Sequence, residues 1–218
     1  MVTPAHHPPT LEASSRRRAT VIVLTGIDGA GKSTAGRLLA RRLASAGYPT
    51  VLARNPCGRD ALAAWSRRLG LTVPARMLDA VETGIRCANV LVSQLRAATF
   101  PGIVIMDRHL YCQLALKRVN GLGHGRLLPW LLRLLPRPDV VFYLEVPAET
   151  ALARIMERAT DTEDLEILRT FDRAYRELED FDSFVRIDAG TSSGQIVEDL
   201  WRKLAAAELV PAGPEGMR

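Results

Sequence analysis

At 218 residues, 47% of them hydrophobic and 24% charged, the chain has the size of one α/β domain able to bury a substantial core without disulfides. Its three cysteines, Cys57, Cys87 and Cys112, show no Cys-x-x-Cys spacing, which argues against a zinc site or a disulfide framework and fits a reducing cytoplasm. The net charge of +5 comes without a helix-turn-helix, zinc-finger or RNP-type signature, and the apolar runs at 19–24 and 127–135 are too short for a bilayer, so neither nucleic acid nor membrane is an expected partner.

Residues 1–18, containing Pro and His, read as a disordered leader. The apolar run 20–25 reads as a first strand, followed at 26–34 by GIDGAGKST and by a helix over 32–46 that Gly47 ends. Strand, glycine-rich loop and helix in that order form the context of a phosphate-binding P-loop. Gly26, Gly29 and Gly31 let successive amides turn inward around a β-phosphate, with Ala30 and Thr34 completing the loop. Lys32 is placed to bridge β- and γ-phosphates, and the Ser33 hydroxyl is the expected Mg²⁺ ligand. Asp28 lies inside the loop, where a carboxylate either accepts a hydrogen bond from an acceptor hydroxyl or satisfies loop amides.

Short apolar runs at 50–53, 103–106, 140–146 and 184–187 read as four more buried parallel strands. Helices are expected at 60–69, 75–98, 110–119, 125–134, 147–158, 163–180 and 193–207. This alternation predicts a doubly wound α/β fold, one P-loop domain over 19–207, with ligands at the carboxyl ends of the strands. Residues 208–218 read as a flexible tail.

Asp107 closes the third strand beside the P-loop, the place for a magnesium-linked acid. Arg108 and His109 follow it, no water-activating acid is evident, and no Asn-Lys-x-Asp sequence reads guanine. Transfer to a bound acceptor is therefore expected over hydrolysis. Arg54, Arg86 and Arg108 are the guanidiniums available to an acceptor phosphate, although Glu82, four residues before Arg86, offers a helix-surface ion pair instead. Arg154 and Arg158 share a face of the helix after the fourth strand, and the polar, acidic stretch beyond reads as a lid at about 158–164. Its closure would carry an arginine over the transferring group; a solvated helix end has the same composition. Leu165, Leu168, Phe171, Tyr175 and Leu178 recur at helical spacing and read as core packing.

Taken in order, GIDGAGKST, RNPCG at 54–58, DRH at 107–109 and EVPAETALARIMER at 145–158 resemble four motifs of the thymidylate kinase family of P-loop nucleoside monophosphate kinases. These are its glycine-rich loop, its Arg-Glu-Pro-Gly-Gly, its Asp-Arg-Tyr/His and its Asp-Val-Pro helix leading to the lid. The likeness covers about residues 20–205. It implies a three-layer α/β/α fold with a five-stranded parallel sheet and a helical lid, a homodimer, and ATP-dependent, Mg²⁺-assisted transfer of the γ-phosphoryl group to a nucleoside monophosphate, dTMP or a related nucleotide. By this resemblance Lys32 and Ser33 serve ATP and magnesium. Asp28 lies near the acceptor sugar, Arg54 and Arg108 hold the acceptor phosphate, and Pro56 follows a cis bond beside it. Arg86 reaches the base, and Arg158 is the lid catalyst, which suits Ala30 standing where some members place an arginine.

Departures gather on the base wall. Glu82 stands where an aromatic usually stacks on thymine, Gln113 where Ser or Asn is frequent, Leu116 for a tyrosine and Thr162 for a second lid arginine. A lost aromatic platform forfeits on the order of 1 kcal/mol or more of stacking. A nucleoside or small-metabolite kinase on the same scaffold, or a nucleotide-binding protein without transfer activity, would keep the phosphate-handling parts.

Overall fold

A computed structural model describes residues 18–55, 75–122, 125–158 and 164–210. The expectations for residues 1–17, for Pro56 and the helix at 60–69, for the lid stretch 159–163 with Thr162, and for 211–218 lie outside the described residues.

Five strands, β1 (Thr20–Thr25), β2 (Thr50–Arg54), β3 (Ile103–Asp107), β4 (Val140–Glu145) and β5 (Val185–Asp188), form one sheet in the order β2-β3-β1-β4-β5. Every pairing is parallel. The described helices are α1 (Lys32–Ser45), α2 (Ala75–Thr99), α3 (Leu110–Val119), α4 (Leu127–Leu134), α5 (Ala148–Arg158), α6 (Leu165–Arg176) and α7 (Ser193–Ala206). The β1 register sets Ile22 opposite Ile105 and Leu24 opposite Asp107. Laterally paired residues share a face, so Leu24, Ile105 and Asp107 look toward α1. That helix is pressed close: a Cβ on Gly36 would lie 3.2 Å from Leu52 and 3.3 Å from Leu24. Thr25, one residue on, turns the other way, and its hydroxyl lies 3.5 Å from the Cys112 thiol on α3. Side chains of Ile22, Leu24, Leu39, Leu43 and Ile105 are fully buried in the resulting core.

Local signals end the elements where backbone chemistry demands. Gly47 has φ 88° after α1, and the amides of Gly47 and Tyr48 return to the carbonyls of Ala44 and Leu43, a Schellman ending. The expected helix at 125–134 starts only at Leu127, because Gly125 has φ 61°, outside the helical region. The expected helix at 163–180 is also too long. Asp164 caps α6 by accepting from the Glu166 amide at 2.8 Å, the helix stops at Arg176, and Phe181–Ser183 form a separate 3-10 turn. No glycine or proline marks that stop. It is set by packing: Phe181 meets the Tyr143 ring edge-on at 5.1 Å, and Phe184 meets Tyr111 at 4.9 Å.

Helix α2 buries a largely polar face: Asp79, Glu82, Thr83, Arg86, Ser93 and Gln94 are buried beside Val90 and Ala97, while Met77, Val81, Leu91, Val92 and Leu95 are exposed.

Candidate active site

The P-loop leaves β1 at the carboxyl edge of the sheet. Gly26 and Gly29 have φ of 138° and 82°, and a Cβ there would lie 2.7 Å from the Leu144 carbonyl oxygen and 2.4 Å from that of Ala151. These glycines therefore let the loop lie directly on β4 and α5, a requirement added to their freedom around phosphate. Gly31, at φ 86°, caps α1 without a side-chain hydrogen bond, and no acid stands in the first turn. By contrast α7 begins with a full capping box of Ser192 and Gln195. The uncapped amides of α1 suit an anion. Lys32 is buried; its ammonium donates to the carbonyls of Gly26 at 2.9 Å and Ile27 at 2.6 Å and lies 3.4 Å from Asp28 Oδ1. Burial lowers its pKa, with Asp28 opposing.

Ser33 on α1 and Asp107 at the end of β3 meet across the sheet edge, the Ser33 hydroxyl donating to Asp107 Oδ2 at 2.5 Å. Asp107 Oδ1 is buried with no hydrogen-bond partner among the described residues. One carboxylate and one hydroxyl beside a phosphate cradle fit Mg²⁺, a hard ion that keeps several waters and takes only one or two carboxylates. Among the described residues no group of three or more His, Cys, Asp or Glu forms an all-protein metal cage.

Asp28 and Arg108 bring the two sides of the site together. The Arg108 guanidinium donates to Asp28 Oδ1 in a short contact, so the loop acid pairs with two cations. Burial acts to raise the Asp28 pKa, but Lys32 and Arg108 outweigh it and hold the carboxyl well below the usual carboxylate range. Arg108 has φ 76°, a left-handed conformation costly for a residue with a Cβ. The strain is held by neighbours. The Arg108 amide donates to the Leu24 carbonyl at 3.2 Å, the Asn55 side-chain amide donates to the Arg108 carbonyl at 2.7 Å, and Ser93 on α2 donates to Asn55 Oδ1 at 3.1 Å. Sequence reasoning passed over Asn55 and Ser93; the only signal was an Asn where the family motif carries Glu.

On the base wall, Arg86 is 2% exposed and donates through Nε to Gln113 Oε1 at 3.1 Å, while the Gln113 amide donates to Thr83 at 3.0 Å. Glu82 Oε1 is 3.8 Å from Arg86, an ion pair longer than a hydrogen bond, and Arg86 Nη1 has no partner among the described residues. Lys117 donates to Asp79 at 2.5 Å, closing a polar seam between α2 and α3. Arg54 is exposed at the end of the edge strand and pairs in register with Asp107, which puts it on the α1 side of the sheet, away from Arg86. Arg154 and Arg158 have separate surroundings. Arg154 donates to the Ala189 carbonyl at 2.8 Å, whereas Arg158 is exposed and among the described residues donates only to the Arg154 carbonyl, at 3.0 Å. His109 is buried with neither ring nitrogen partnered among the described residues, and desolvation pushes its pKa down to about 4.

A parallel sheet in this order, a P-loop lysine, a Ser–Asp pair and a guanidinium over the loop define a P-loop phosphotransferase. The thymidylate kinase family model matches residues 24–200. A probable thymidylate kinase of Pyrococcus horikoshii is 30% identical over 203 residues, covering 87% of this chain and 95% of that protein. Another from Thermococcus onnurineus is 36% identical over 156 residues, covering 65% of this chain and 74% of its own length. A thymidylate kinase of Xanthomonas oryzae pv. oryzae is 36% identical over 143 residues, 63% of this chain and 61% of that one. The chain belongs to the thymidylate kinase family and is an ATP-dependent nucleoside monophosphate kinase.

Proposed function

We propose that the acceptor is dTMP, that Mg²⁺ accompanies ATP, and that the enzyme works as a homodimer. The observation that carries the acceptor side is Arg108: a strained residue held in place by three neighbours, with its guanidinium on the loop acid beside the P-loop lysine. Strain of this kind is kept where geometry serves function.

In this reading the amides of residues 29–34 and Lys32 hold the donor's outer phosphates, Lys32 exchanging loop carbonyls for phosphate oxygens. Ser33 and Asp107 would hold Mg²⁺, which would supply positive charge beside the donor phosphates. Arg108, with Arg54 joining from the edge strand, binds the acceptor phosphate in line with them, and Asp28 orients Arg108 and the acceptor sugar. Arg86, locked by Gln113 and keeping one unpaired nitrogen, donates to the base. Arg158 at the end of α5 neutralises charge developing between donor and acceptor. Catalysis is positioning and electrostatics, without a covalent intermediate. Support for a dimer comes from the apolar outer stripe of α2, and the unpaired thiols of Cys87 and Cys112 suit a cytoplasmic enzyme.

The test is an acceptor panel with ATP and Mg²⁺, read by product mass: dTMP, dUMP, dCMP, thymidine and small hydroxylated metabolites. dTDP as the fastest-forming product is expected. Phosphorylation confined to free hydroxyls, or faster turnover of another monophosphate, would reject dTMP.

A further inference from the structure

At the amino-terminal edge of the sheet, opposite the P-loop, α4 exposes an apolar stripe. The segment that follows it is tied down on two sides. The Gln94 side chain of α2 donates to the Pro136 carbonyl at 3.2 Å, and Asp139, just before β4, accepts from the Val21 amide near the start of β1 at 2.8 Å. Leu127, Trp130 and Leu134 recur at helical spacing and are 59%, 57% and 64% exposed. Single exposed apolar residues are ordinary, but three large ones on one stripe of an eight-residue helix form a patch. Leu128, off the stripe, is buried and anchors the helix to the body of the protein.

Cations border the stripe. Arg126 and Arg133 stand two turns apart and share one flank of α4, and Arg137 follows its end. All three are exposed, and none makes an ion pair or side-chain hydrogen bond among the described residues. The chain carries no Asp or Glu from Arg108 to Pro138. Glu177, Glu179 and Asp180, beyond the end of α6, meet α4 across a cavity on the side of Pro129 and Leu132, opposite the stripe. We propose that α4 is the contact by which this protein binds an anionic lipid bilayer surface, with Trp130 and the two leucines at the boundary of headgroups and acyl chains and the arginines among lipid phosphates. A protruding apolar stripe flanked by cations has the charge and shape for that surface. The apolar run at 127–135 is too short to cross a bilayer, but a helix lying in the interface plane needs no such length. Docked through α4, the protein keeps the carboxyl edge of its sheet, with the P-loop, open to solvent.

The test is flotation of the full chain with vesicles of phosphatidylcholine, either pure or with about one quarter phosphatidylglycerol. Flotation is expected on the anionic vesicles alone. It should fall about tenfold or more with Leu134→Glu, and likewise with Arg133→Glu and Arg137→Glu combined, while kinase turnover is unchanged. Tryptophan emission should shift to the blue on anionic vesicles, and Trp130→Phe should still float but lose that shift, because the ring itself enters the interface. Circular dichroism checks that each variant is folded, and Leu127→Glu replaces Leu134→Glu if it is not. No flotation on anionic vesicles, equal flotation on neutral ones, or undiminished flotation of the folded variants overturns the proposal. Sedimentation adds a separate arm: a Leu134→Glu protein that loses a dimer while flotation persists assigns the stripe to a second copy and rejects the lipid contact.

Discussion

Arg108 shows how one residue can be made expensive and useful together. A left-handed non-glycine residue costs on the order of 1–3 kcal/mol, and here the surrounding bonds over-determine it. Asn55→Ala removes the donor to its carbonyl, so kcat should fall about tenfold or more while ATP affinity stays within about twofold, by steady-state kinetics and calorimetry; unchanged kcat would show that the clamp is idle. Asp28 adds a pH signature. Its folded pKa lies below the ordinary carboxylate value of 3.8, so the unfolded chain takes up the proton first, and the stabilisation is intact at neutral pH and lost as pH falls below about 4. Unfolding free energies of wild type and Asp28→Asn should therefore differ by a constant amount from pH 8 to 5 and converge below pH 4; parallel curves down to pH 3 would contradict the pairing.

Among the elements, α5 and α2 assign tasks that residue type alone does not. Arg154 and Arg158 stand one helical turn apart, yet Arg154 ties α5 to the carbonyl of Ala189 beyond β5 and Arg158 makes no bond outside its own helix among the described residues. Arg154→Ala should lower stability by about 1–2 kcal/mol through the lost carbonyl partners. Arg158→Ala should leave the melting temperature in place and depress kcat, since its proposed work is electrostatic; the reverse pattern would exchange their roles. On α2 and α3, Gln113 fixes the Arg86 guanidinium through a buried hydrogen bond. Gln113→Ala should raise the acceptor KM roughly tenfold with little change in the ATP KM. A change confined to ATP would remove Arg86 from the base side.

For the whole molecule, α2 matters most. Its largely polar inner face bonds to α3 and to Asn55, and its apolar stripe of Met77, Val81, Leu91, Val92 and Leu95 faces outward, a patch of the kind that marks an interface. Wild type should sediment as a dimer. Leu95→Glu, exposed in the protomer, should shift it to monomer with the circular dichroism spectrum preserved; a wild-type monomer at tens of micromolar would reject the surface as a self-interface.

Sequence by itself determined what is encoded locally. The five strands, the P-loop and its helix, the Gly47 ending and Asp107 at the sheet edge were legible because apolar runs, helical spacing and glycine backbone freedom act within a few residues. The stop of α6 at Arg176 was not, since it depends on aromatic rings from β4 and α3. Nor was the clamp on Arg108: Asn55 is 53 positions from Arg108 and 38 from Ser93, and only the β2–β3 pairing and the docking of α2 bring them together. The tertiary structure likewise decided which face of α2 is inside. Periodicity records that a helix has two unlike faces, but which one is buried depends on the surfaces it meets, and here the inner surface offers the polar side chains Gln113 and Lys117 of α3.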